Sequence, residues 1–404
     1  MQETTLTKSG VNRRLWNAIR ILMSSLGENG MYAGSGPRYR NQCWTRDVSL
    51  ALFPALYSMC SRGMSMPGAP TDKAYLLGVR EKHLAQLMER QGPTGAIPIL
   101  YADNFEQLLL SKLSKAKWDG KTLDVNGSFV ARRILDGYYA SQGRGAEFSD
   151  FPKDRECGLY RLTPGTTDSE LMFAYAVYSQ KESTEIHRNH ADRAIKHLED
   201  RYVWNGLHNG ADWRDTMEVF FRDKPLLTNN ALLYAVYKLS GNVEKAGALK
   251  AEIERVLWNG ETYLDYPEAT RFDPLGGALG VLHGLIPEER YASVLAGFKS
   301  VDTPQGVTIE CKHNPHQSGE AEVIERTGGI VVWPFVVGFT ILAALEMGEH
   351  EFALEQFKKF HNLDGFAEWY DPADGSKWGE HEQGWSAALY VRVVEALTQR
   401  GLLQ

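Results

Sequence analysis

Apolar side chains recur along most of the chain at positions i, i+3, i+4 and i+7, the spacing of one face of an α-helix. Two kinds of apolar segment alternate. One kind is apolar on nearly every side and occupies 47–62, 168–179, 228–239, 273–284, 329–346 and 383–397. The other has a charged face and occupies 12–26, 72–90, 187–202, 242–256, 287–297 and 349–361. Because a helix that is apolar all round is buried whereas one with a polar face borders water, the alternation predicts six inner helices surrounded by six outer ones.

Such a double ring is an (α/α)6 barrel, an all-α fold built from six helical hairpins, and we expect it to form a single domain over 1–404. Patterns typical of β-strands are scarce. One segment, 91–165, is rich in Gly, Pro, Tyr and Asp and has only a short helical pattern near 105–115. Long insertions in a compact domain are usually lids or binding loops, so 91–165 is predicted to be an elaborated active-site loop region.

Short polar clusters precede the predicted inner helices and should therefore gather at one end of the barrel. They are "CWTRD" (43–47), "PGTTD" (164–168), "ADWRD" (211–215), "ATRFD" (269–273), "IERTGG" (324–329) and "WGEHEQGW" (378–385). Asp at a helix N-terminus often caps the helix, which is the simplest interpretation of Asp168 and Asp273. Asp47 has Trp44 and Arg46 beside it, which favours a role in binding for these three residues.

Charge and cysteine content exclude several function classes. The chain has 44 Lys and Arg against 51 Asp and Glu, a net charge of -7 without a basic block, which argues against binding to nucleic acid or to an anionic membrane. The first residues contain no apolar run and no stretch reaches membrane-spanning length, so we expect a cytoplasmic protein. The four cysteines show no CxxC spacing, which predicts free thiols and no bound metal.

The aromatic content is less ordinary than the charge. Aromatic residues make up 11% of the chain, with 10 Trp. Six of these stand beside charged or Gly-rich loops instead of inside apolar runs: Trp44, Trp213, Trp333, Trp369, Trp378 and Trp385. Sugars suit such surroundings, because their C–H faces stack on indole rings while their hydroxyls need polar partners. The pattern therefore favours a small carbohydrate as the ligand.

Two carboxylates in different hairpins have unusual neighbours. Asp215 lies in the polar loop 206–219, well before the helix predicted from Thr228, and Asp212 in the same loop is an alternative to it. Glu368 lies between Phe366 and Trp369 in an aromatic setting that can retune a carboxyl group. Two carboxylates facing each other across an aromatic cavity are the minimal apparatus for glycoside hydrolysis, one as general acid and the other as general base or nucleophile.

Several motifs, in matching order, resemble those of the (α/α)6-barrel glycosidases that include amylo-α-1,6-glucosidase domains, alkaline/neutral invertases and glycoside hydrolase family 63. "WTRD" is similar to the (W/F)-I-R-D motif, and "DWRDTM" followed by "NNALLYAVY" is similar to the general-acid segment. "RFDPLGGALGVLHGL" resembles the invertase F-D-x-L-G helix, and "GGIVVWPFV" resembles G-G-x-x-W-P. "FAEWYDPADG" with "QGWSAA" is similar to the segment bearing the general base.

The resemblance implies an exo-acting hydrolase without a cofactor that releases a terminal α-linked glucosyl residue with inversion, Asp215 being the general acid and Glu368 the general base. Carboxyl groups in inverting pairs stand roughly 6.5–9.5 Å apart. Trp44, Arg46 and Asp47 carry over as sugar contacts. Further pocket candidates by position are Asp212, Trp213, Arg214, Glu325, Arg326, Trp333, Trp369, Tyr370, His381, Gln383 and Trp385. The chain departs from the invertases in reading "WRDTM" where they carry I-D-R-R-M, so the substrate stays open between small α-glucosides and oligosaccharides.

Other functions fit the same barrel. A sugar isomerase or epimerase of the N-acylglucosamine 2-epimerase type relies on a pair of histidines, and the loop histidines here are His208, His313, His316 and His381. A carbohydrate-binding protein without activity would keep the pocket alone. A glycoside phosphorylase needs a phosphate site in place of the base, and Glu368 argues against that. Neither the glycone and the leaving group nor the oligomeric state follows from the sequence.

Overall fold

Within the part of the chain that the structure describes, twelve long helices alternate between two layers. A computed structural model describes residues 7–36, 39–61, 73–102, 117–118, 123–124, 167–214, 217–311 and 319–403. The helices there are α1 (Lys8–Ser24), α2 (Thr45–Asp47), α3 (Phe53–Ser61), α4 (Lys73–Glu89), α5 (Asp168–Tyr178), α6 (Glu185–Tyr202), α7 (Glu218–Phe221), α8 (Leu227–Leu239), α9 (Val243–Leu257), α10 (Pro274–Leu282), α11 (Tyr291–Ser300), α12 (Glu320–Thr327), α13 (Pro334–Glu346), α14 (His350–Asn362) and α15 (Gly384–Gln399). A π-helical stretch, Val48–Leu52, joins α2 to α3, so that these three pieces count as one long helix.

The inner layer closes into a ring. Around it, α5 packs against α8, α8 against α10, α10 against α13, α13 against α15, and α15 against the helix of α2 and α3, which returns to α5. Each inner helix has one outer neighbour: α1 lies on α15, α4 on α3, α6 on α5, α9 on α8, α11 on α10 and α14 on α13. This architecture is the (α/α)6 barrel, so the fold predicted from the alternation of helix types is confirmed.

Burial follows the sequence pattern that distinguishes the two layers. Every residue of the inner helix α8 from Leu227 to Tyr237 is buried. The outer helix α9 buries only Ala246, Leu249, Ile253 and Leu257, which lie three or four residues apart on one face. Burial of apolar side chains thus stabilises an inner helix through contacts on all its faces and an outer helix through contacts on one face. This is what the two hydrophobic patterns predict.

Short antiparallel ladders connect the helices. The strands are β1 (Gln42–Trp44), β2 (Leu100–Ala102), β3 (Lys117–Trp118), β4 (Leu123–Asp124), β5 (Val203–Trp204), β6 (Leu207–His208), β7 (Asp302–Thr303), β8 (Gly306–Val307), β9 (Ile309–Glu310), β10 (Ile330–Val331), β11 (Trp369–Tyr370) and β12 (Lys377–Trp378). Each odd-numbered strand pairs with the next one: β1 with β2, β3 with β4, β5 with β6, β7 with β8, β9 with β10 and β11 with β12. Most of the predicted loop region 91–165 lies outside the described residues. Its beginning is fixed beside β1, because β2 pairs with that strand and Thr45 Oγ1 donates to the carbonyl of Pro98 at 2.6 Å.

The helix predicted over 329–346 begins five residues later than the pattern indicated. The apolar run 329–346 was expected to be helical throughout, but α13 starts at Pro334. Gly328 and Gly329 have φ values of 64° and 81°, and the next two residues pair with β9. The left-handed glycines end α12 and turn the chain into a strand, whereas proline has the φ that a first helical position needs. The apolar pattern alone does not separate these few buried strand residues from the helix.

Close packing of the inner ring can be tested with two glycines. A Cβ on Gly338 of α13 would lie 2.5 Å from Cβ of the buried Leu389 on α15, whereas a Cβ on the exposed Gly247 of α9 meets nothing within 4 Å. We expect Gly338→Ala to lower the free energy of unfolding by about 1–3 kcal/mol through overpacking. Gly247→Ala should raise it by about 0.5–1 kcal/mol by restricting the unfolded chain. Urea unfolding of both variants and of the wild type measures the two changes. If the two variants had the same free energy of unfolding, the close packing of Gly338 against Leu389 would be contradicted.

No described helix is both long enough and apolar enough to cross a membrane.

Candidate functional site

An aromatic box lies where the chain enters three inner helices, α8, α13 and α15. It consists of Trp213, Trp333, Phe335 and Trp385, each of which is at most 6% exposed. Phe335 stacks on Trp385 with ring centroids 4.0 Å apart, while Trp213 makes T-shaped contacts with Phe335 and Trp333 at centroid distances of 4.8 and 5.1 Å. Trp333 is the N-cap residue of α13 and Trp385 lies in the first turn of α15. The box therefore sits at the N-terminal ends of inner helices, where the polar clusters were predicted to gather.

Two indole N–H groups of the aromatic box lack an acceptor. Nε1 of Trp213 and Nε1 of Trp385 are buried and have no hydrogen-bond partner among the described residues. Buried donors are nearly always paired in folded proteins, and leaving one unpaired costs about 1–3 kcal/mol. An apolar wall with two such donors is suited to a ligand that combines an apolar face with hydroxyl oxygens.

Glu368 is held in a fixed orientation just before β11. Its Oε1 accepts a hydrogen bond from the Tyr39 hydroxyl at 2.7 Å, and its Oε2 accepts one from the Glu380 amide at 2.9 Å. The Glu368 amide in turn donates to the Glu380 carbonyl at 2.7 Å. Gly379 has φ +74°, and a Cβ there would come within 2.3 Å of Glu368 Oε2. The turn thus needs glycine so that the chain can pass the carboxylate closely.

Arg46 links the first inner helix to the loop that carries Trp213. Its Nη1 donates to the Trp213 carbonyl at 2.6 Å and lies 3.6 Å from Oδ2 of Asp168, while its guanidinium sits 5.0 Å from the Trp44 ring. The capping role expected for Asp168 is wrong: it is the first residue of α5, its side chain makes no capping bond, and it pairs with Arg46. The capping role of Asp273 is confirmed by a hydrogen bond from the Leu275 amide at 2.9 Å.

Asp47 and Gln383 join the first inner helix to the start of α15. Gln383 Nε2 lies 3.5 Å from Asp47 Oδ1, and Gln383 Oε1 accepts from the Gly384 amide at 3.0 Å, which caps α15. Asp47 is buried inside the first inner helix, which begins at Thr45, and so is not an N-cap. Asp47 of the "WTRD" cluster therefore contacts Gln383 at the start of α15, and the role of the cluster in binding a sugar stays a prediction.

Asp212 and Arg214 belong to a buried clamp that the sequence did not predict as such. The Arg214 guanidinium donates to Asp212 at 2.8–3.1 Å and to Asp265 at 2.7 and 3.0 Å. Burial by itself lowers the pKa of Arg214, but the Asp212 and Asp265 charges outweigh it, so that the pKa is raised well above its usual value. Asp215 lies outside the described residues. Because both Asp212 oxygens already accept from a guanidinium, the general-acid assignment stays with Asp215.

The remaining predicted residues have other surroundings. Trp369 is buried and stacks on Trp378 with centroids 5.9 Å apart. The Tyr370 hydroxyl donates to the Asp364 carbonyl at 2.8 Å and accepts from the Ala367 amide at 2.9 Å, so it braces the turn that presents Glu368. Three more are exposed, namely Glu325, Arg326, which pairs with Asp371, and His381. Their role in binding stays a prediction.

Sequence reasoning missed four residues that the fold brings to this region. Tyr39 and Glu380 fix Glu368, Phe335 completes the aromatic box, and Asp265 completes the clamp on Arg214. Glu380 lies inside the quoted cluster "WGEHEQGW", so its position was a usable signal. Phe335 reads as core within "VVWPFVV", and Tyr39 and Asp265 lie in loops with no distinguishing pattern.

The described histidines do not form a pair at this site. His208 is buried on β6 beside Tyr202, with ring centroids 6.3 Å apart, and burial lowers its pKa to about 3. His381 is exposed. His313 and His316 lie outside the described residues.

Known structures share this fold. No family model matches the sequence, and no curated protein matches it. A glycosidase variant solved in complex with glucose is 12% identical with a TM-score of 0.60, covering 99% of this chain and 100% of that one. An α-amylase from Clostridium perfringens is 12% identical with a TM-score of 0.50, over 97% and 99% of the chains. A family 63 mannosylglycerate hydrolase from Thermus thermophilus is 15% identical over 94% and 99%, with a TM-score of 0.48. The chain shares the fold of the glycosidase variant and of the α-amylase.

Proposed function

We propose that this barrel is an inverting, exo-acting glycoside hydrolase that releases a terminal α-linked glucosyl residue from a small α-glucoside. The observation that carries the proposal is the buried Glu368 carboxylate, oriented by Tyr39 and Glu380. Tyr370, two residues after Glu368, is bridged to Val332, the neighbour of Trp333 in the aromatic box. In that box the indole N–H groups of Trp213 and Trp385 have no hydrogen-bond partner among the described residues. The shared fold with glycosidases, one of them solved with glucose, supports the same class of ligand.

Asp215 and Glu368 have complementary roles in the proposed reaction. Asp215 donates its proton to the glycosidic oxygen as the bond from that oxygen to the anomeric carbon breaks. Glu368 accepts a proton from water as the water oxygen bonds to the opposite face of the anomeric carbon. The products are the free leaving group as an alcohol and β-glucose. Asp215 ends deprotonated and Glu368 protonated, and exchange of protons with solvent restores both.

The orientation of Glu368 fits the task of a general base. A carboxylate offers about four acceptor positions, so the hydrogen bonds from Tyr39 and Glu380 hold its plane without exhausting its capacity to accept from water. A base held in position keeps the attacking water in the geometry that the reaction needs, so less entropy is lost on reaching the transition state. Positioning of this kind accounts for much of the rate enhancement of enzymes. Tyr39 and Glu380 are positioning residues in this scheme.

The aromatic box suits the glucosyl unit better than a charged ligand. Trp213, Trp333, Phe335 and Trp385 offer ring faces and edges on which the C–H face of a hexose can pack. Indole N–H groups donate and never accept, so they pair with hydroxyl oxygens. Arg46 and Asp47, near the box, are charged but already engaged with Asp168 and Gln383.

An epimerase of the histidine-pair type is less well supported. Of the loop histidines considered, His208 is buried in the core and His381 is exposed, so the described residues supply no facing pair. A carbohydrate-binding protein without activity has no need of a carboxylate fixed by two donors, as Glu368 is.

Proton NMR of the released sugar tests the proposal. Purified protein is incubated with sucrose, trehalose, maltose, isomaltose, panose and glucosylglycerate, and the anomeric signals are followed before mutarotation. We expect β-glucose as the first product from one or two of them, and a strongly reduced rate with the Glu368→Gln variant. Trehalose also releases α-glucose as its leaving group, so the anomer is diagnostic for sucrose and glucosylglycerate, whose leaving groups contain no glucose. First release of α-glucose from either of these two would contradict inversion, and no release from any substrate by the wild type would contradict the hydrolase proposal.

A further inference from the structure

Arg14, on the outer helix α1, contacts the segment of chain that leads to Glu368. Its Nη1 donates to the Leu363 carbonyl and its Nη2 donates to the Gly365 carbonyl, each at 2.6 Å. Its guanidinium carbon also lies 4.6 Å from the centre of the buried Phe366 ring. Arg14 therefore holds both the main chain and an aromatic side chain of a segment that lies almost at the other end of the sequence.

All five carbonyl groups of the segment 363–367 accept a hydrogen bond. Arg14 donates to the first and the third, and the Tyr370 hydroxyl donates to the second at 2.8 Å. The Gln383 amide donates to the fourth at 2.8 Å, and Ser386 Oγ donates to the fifth at 2.9 Å. These donors belong to α1, to β11 and to the start of α15, so three separate elements fix the segment.

The charge of Arg14 has no carboxylate partner among the described residues. Burial lowers the pKa of Arg14, and the nearby charge of Asp364 offsets only part of that effect. Asp364 itself is paired with Lys377 at 2.5 Å. Because removing a guanidinium from water without a counter-ion opposes folding, packing alone would be served better by a neutral side chain. The arrangement therefore points to a requirement for the two carbonyls that the guanidinium holds.

The position of the Glu368 carboxylate depends on the main chain that precedes it. Only two residues separate Glu368 from Gly365, whose carbonyl Arg14 holds. Gly365 has a φ of 75°, and a glycine changes its conformation easily when nothing holds its peptide groups. Because a displacement of about 1 Å in a catalytic group can reduce the rate about 100-fold, a small rotation at Gly365 is enough to impair a general base.

We propose that Arg14 is a positioning residue for the general base, and that it acts through the segment 363–367 without touching the substrate. The inference rests on the proposed function, since it requires Glu368 to act as the base. It gives the outer helix α1 a part in the reaction, whereas its hydrophobic pattern predicts only packing against the inner ring.

Hydrolysis of α-glucosyl fluoride by Arg14 variants tests this role. Arg14→Ala removes both hydrogen bonds and is expected to lower kcat about 10–100-fold with little change in KM, because the base moves while the aromatic box stays intact. Arg14→Lys keeps the charge, but a single amine cannot match the fork of a guanidinium, so its kcat should lie between those of Arg14→Ala and the wild type. The matched control is Arg13→Ala, on the exposed side of α1, which should keep the wild-type kcat.

The Glu368→Gln background distinguishes action through the base from general damage to the enzyme. Azide attacks without a base, so consumption of α-glucosyl fluoride with added sodium azide measures the activity that does not depend on Glu368. We expect Arg14→Ala to change this rate less than about 2-fold in that background, because both substitutions impair the same step. An equal loss in the two backgrounds, or an unchanged kcat in Arg14→Ala alone, would refute the proposal. Arg14→Lys serves for the same comparison if Arg14→Ala does not fold.

Hydrogen exchange distinguishes failure of this inference from failure of the hydrolase proposal, because it requires no activity. Amides in peptides that cover 363–370 should exchange faster in Arg14→Ala and Arg14→Lys than in Arg13→Ala, as measured by mass spectrometry. If exchange is unchanged, Arg14 does not hold the segment and the inference is wrong. If exchange is faster but the wild type hydrolyses neither the fluoride nor any glucoside, the hydrolase proposal fails, and the role of Glu368 as a base fails with it.

Discussion

Replacing Asp215 by Asn is expected to reduce kcat for a disaccharide about 10²–10⁴-fold while α-glucosyl fluoride retains most of its rate. General acid catalysis typically contributes a factor of this size, and it matters most when the leaving oxygen is strongly basic. Fluoride ion is a weak base that departs with little protonation, so loss of the acid affects it least. Initial rates of the variant and the wild type on the two substrates give the loss of activity for each leaving group, and the ratio of the two losses measures the contribution of the general acid.

Asp212→Asn is the matched control for the acid assignment. It removes a charge from a carboxylate that accepts from the buried Arg214 guanidinium at 2.8–3.1 Å. Breaking one partner of a buried ion pair typically costs about 3–5 kcal/mol, and here Asp265 retains part of the pairing, so a lower Tm is the expected consequence. If Asp212→Asn instead keeps its Tm and shows the leaving-group dependence predicted for Asp215→Asn, the general acid is Asp212.

Replacing Glu368 by Gln is expected to reduce kcat about 10²–10⁴-fold for the disaccharide and for the fluoride alike, because activation of water is needed with either leaving group. Gln has nearly the same shape, but it cannot accept a proton from water. Sodium azide needs no deprotonation, so added azide should restore the consumption of α-glucosyl fluoride and give β-glucosyl azide. Proton NMR identifies the anomer, and an α-configured azide would indicate a two-step retaining mechanism instead.

Tyr39→Phe provides a graded comparison with Glu368→Gln. It removes the hydroxyl that donates to Glu368 Oε1 at 2.7 Å and leaves the bond from the Glu380 amide in place. A hydrogen bond to a charged group contributes about 1.5–3 kcal/mol, which corresponds to a loss of roughly 10–100-fold in kcat. A loss as large as that of Glu368→Gln would indicate that Tyr39 takes part in the reaction directly.

The sequence by itself determined the architecture of this protein. Helices such as α8, apolar on all sides, alternate with helices such as α9, apolar on one face, and only a double ring buries both kinds. The sequence also indicated that polar loops lie before the inner helices, which is where Trp213, Glu368 and Gln383 are found. These features follow from local periodicity, which a single chain displays directly.

Only the tertiary structure decided which residues meet. Asp212 and Arg214 were plausible sugar contacts by composition, but Asp265, about fifty residues further along the chain, turns them into an internal clamp. Asp168 was expected to cap its helix, yet the approach of Arg46 from the preceding inner helix gives it an ionic partner. Tyr39 reaches Glu368 across 329 residues of sequence. Contacts of this kind depend on how the loops are placed relative to one another in space. Hydrophobic periodicity indicates which face of a helix is buried, but it does not indicate which residue an individual polar side chain contacts.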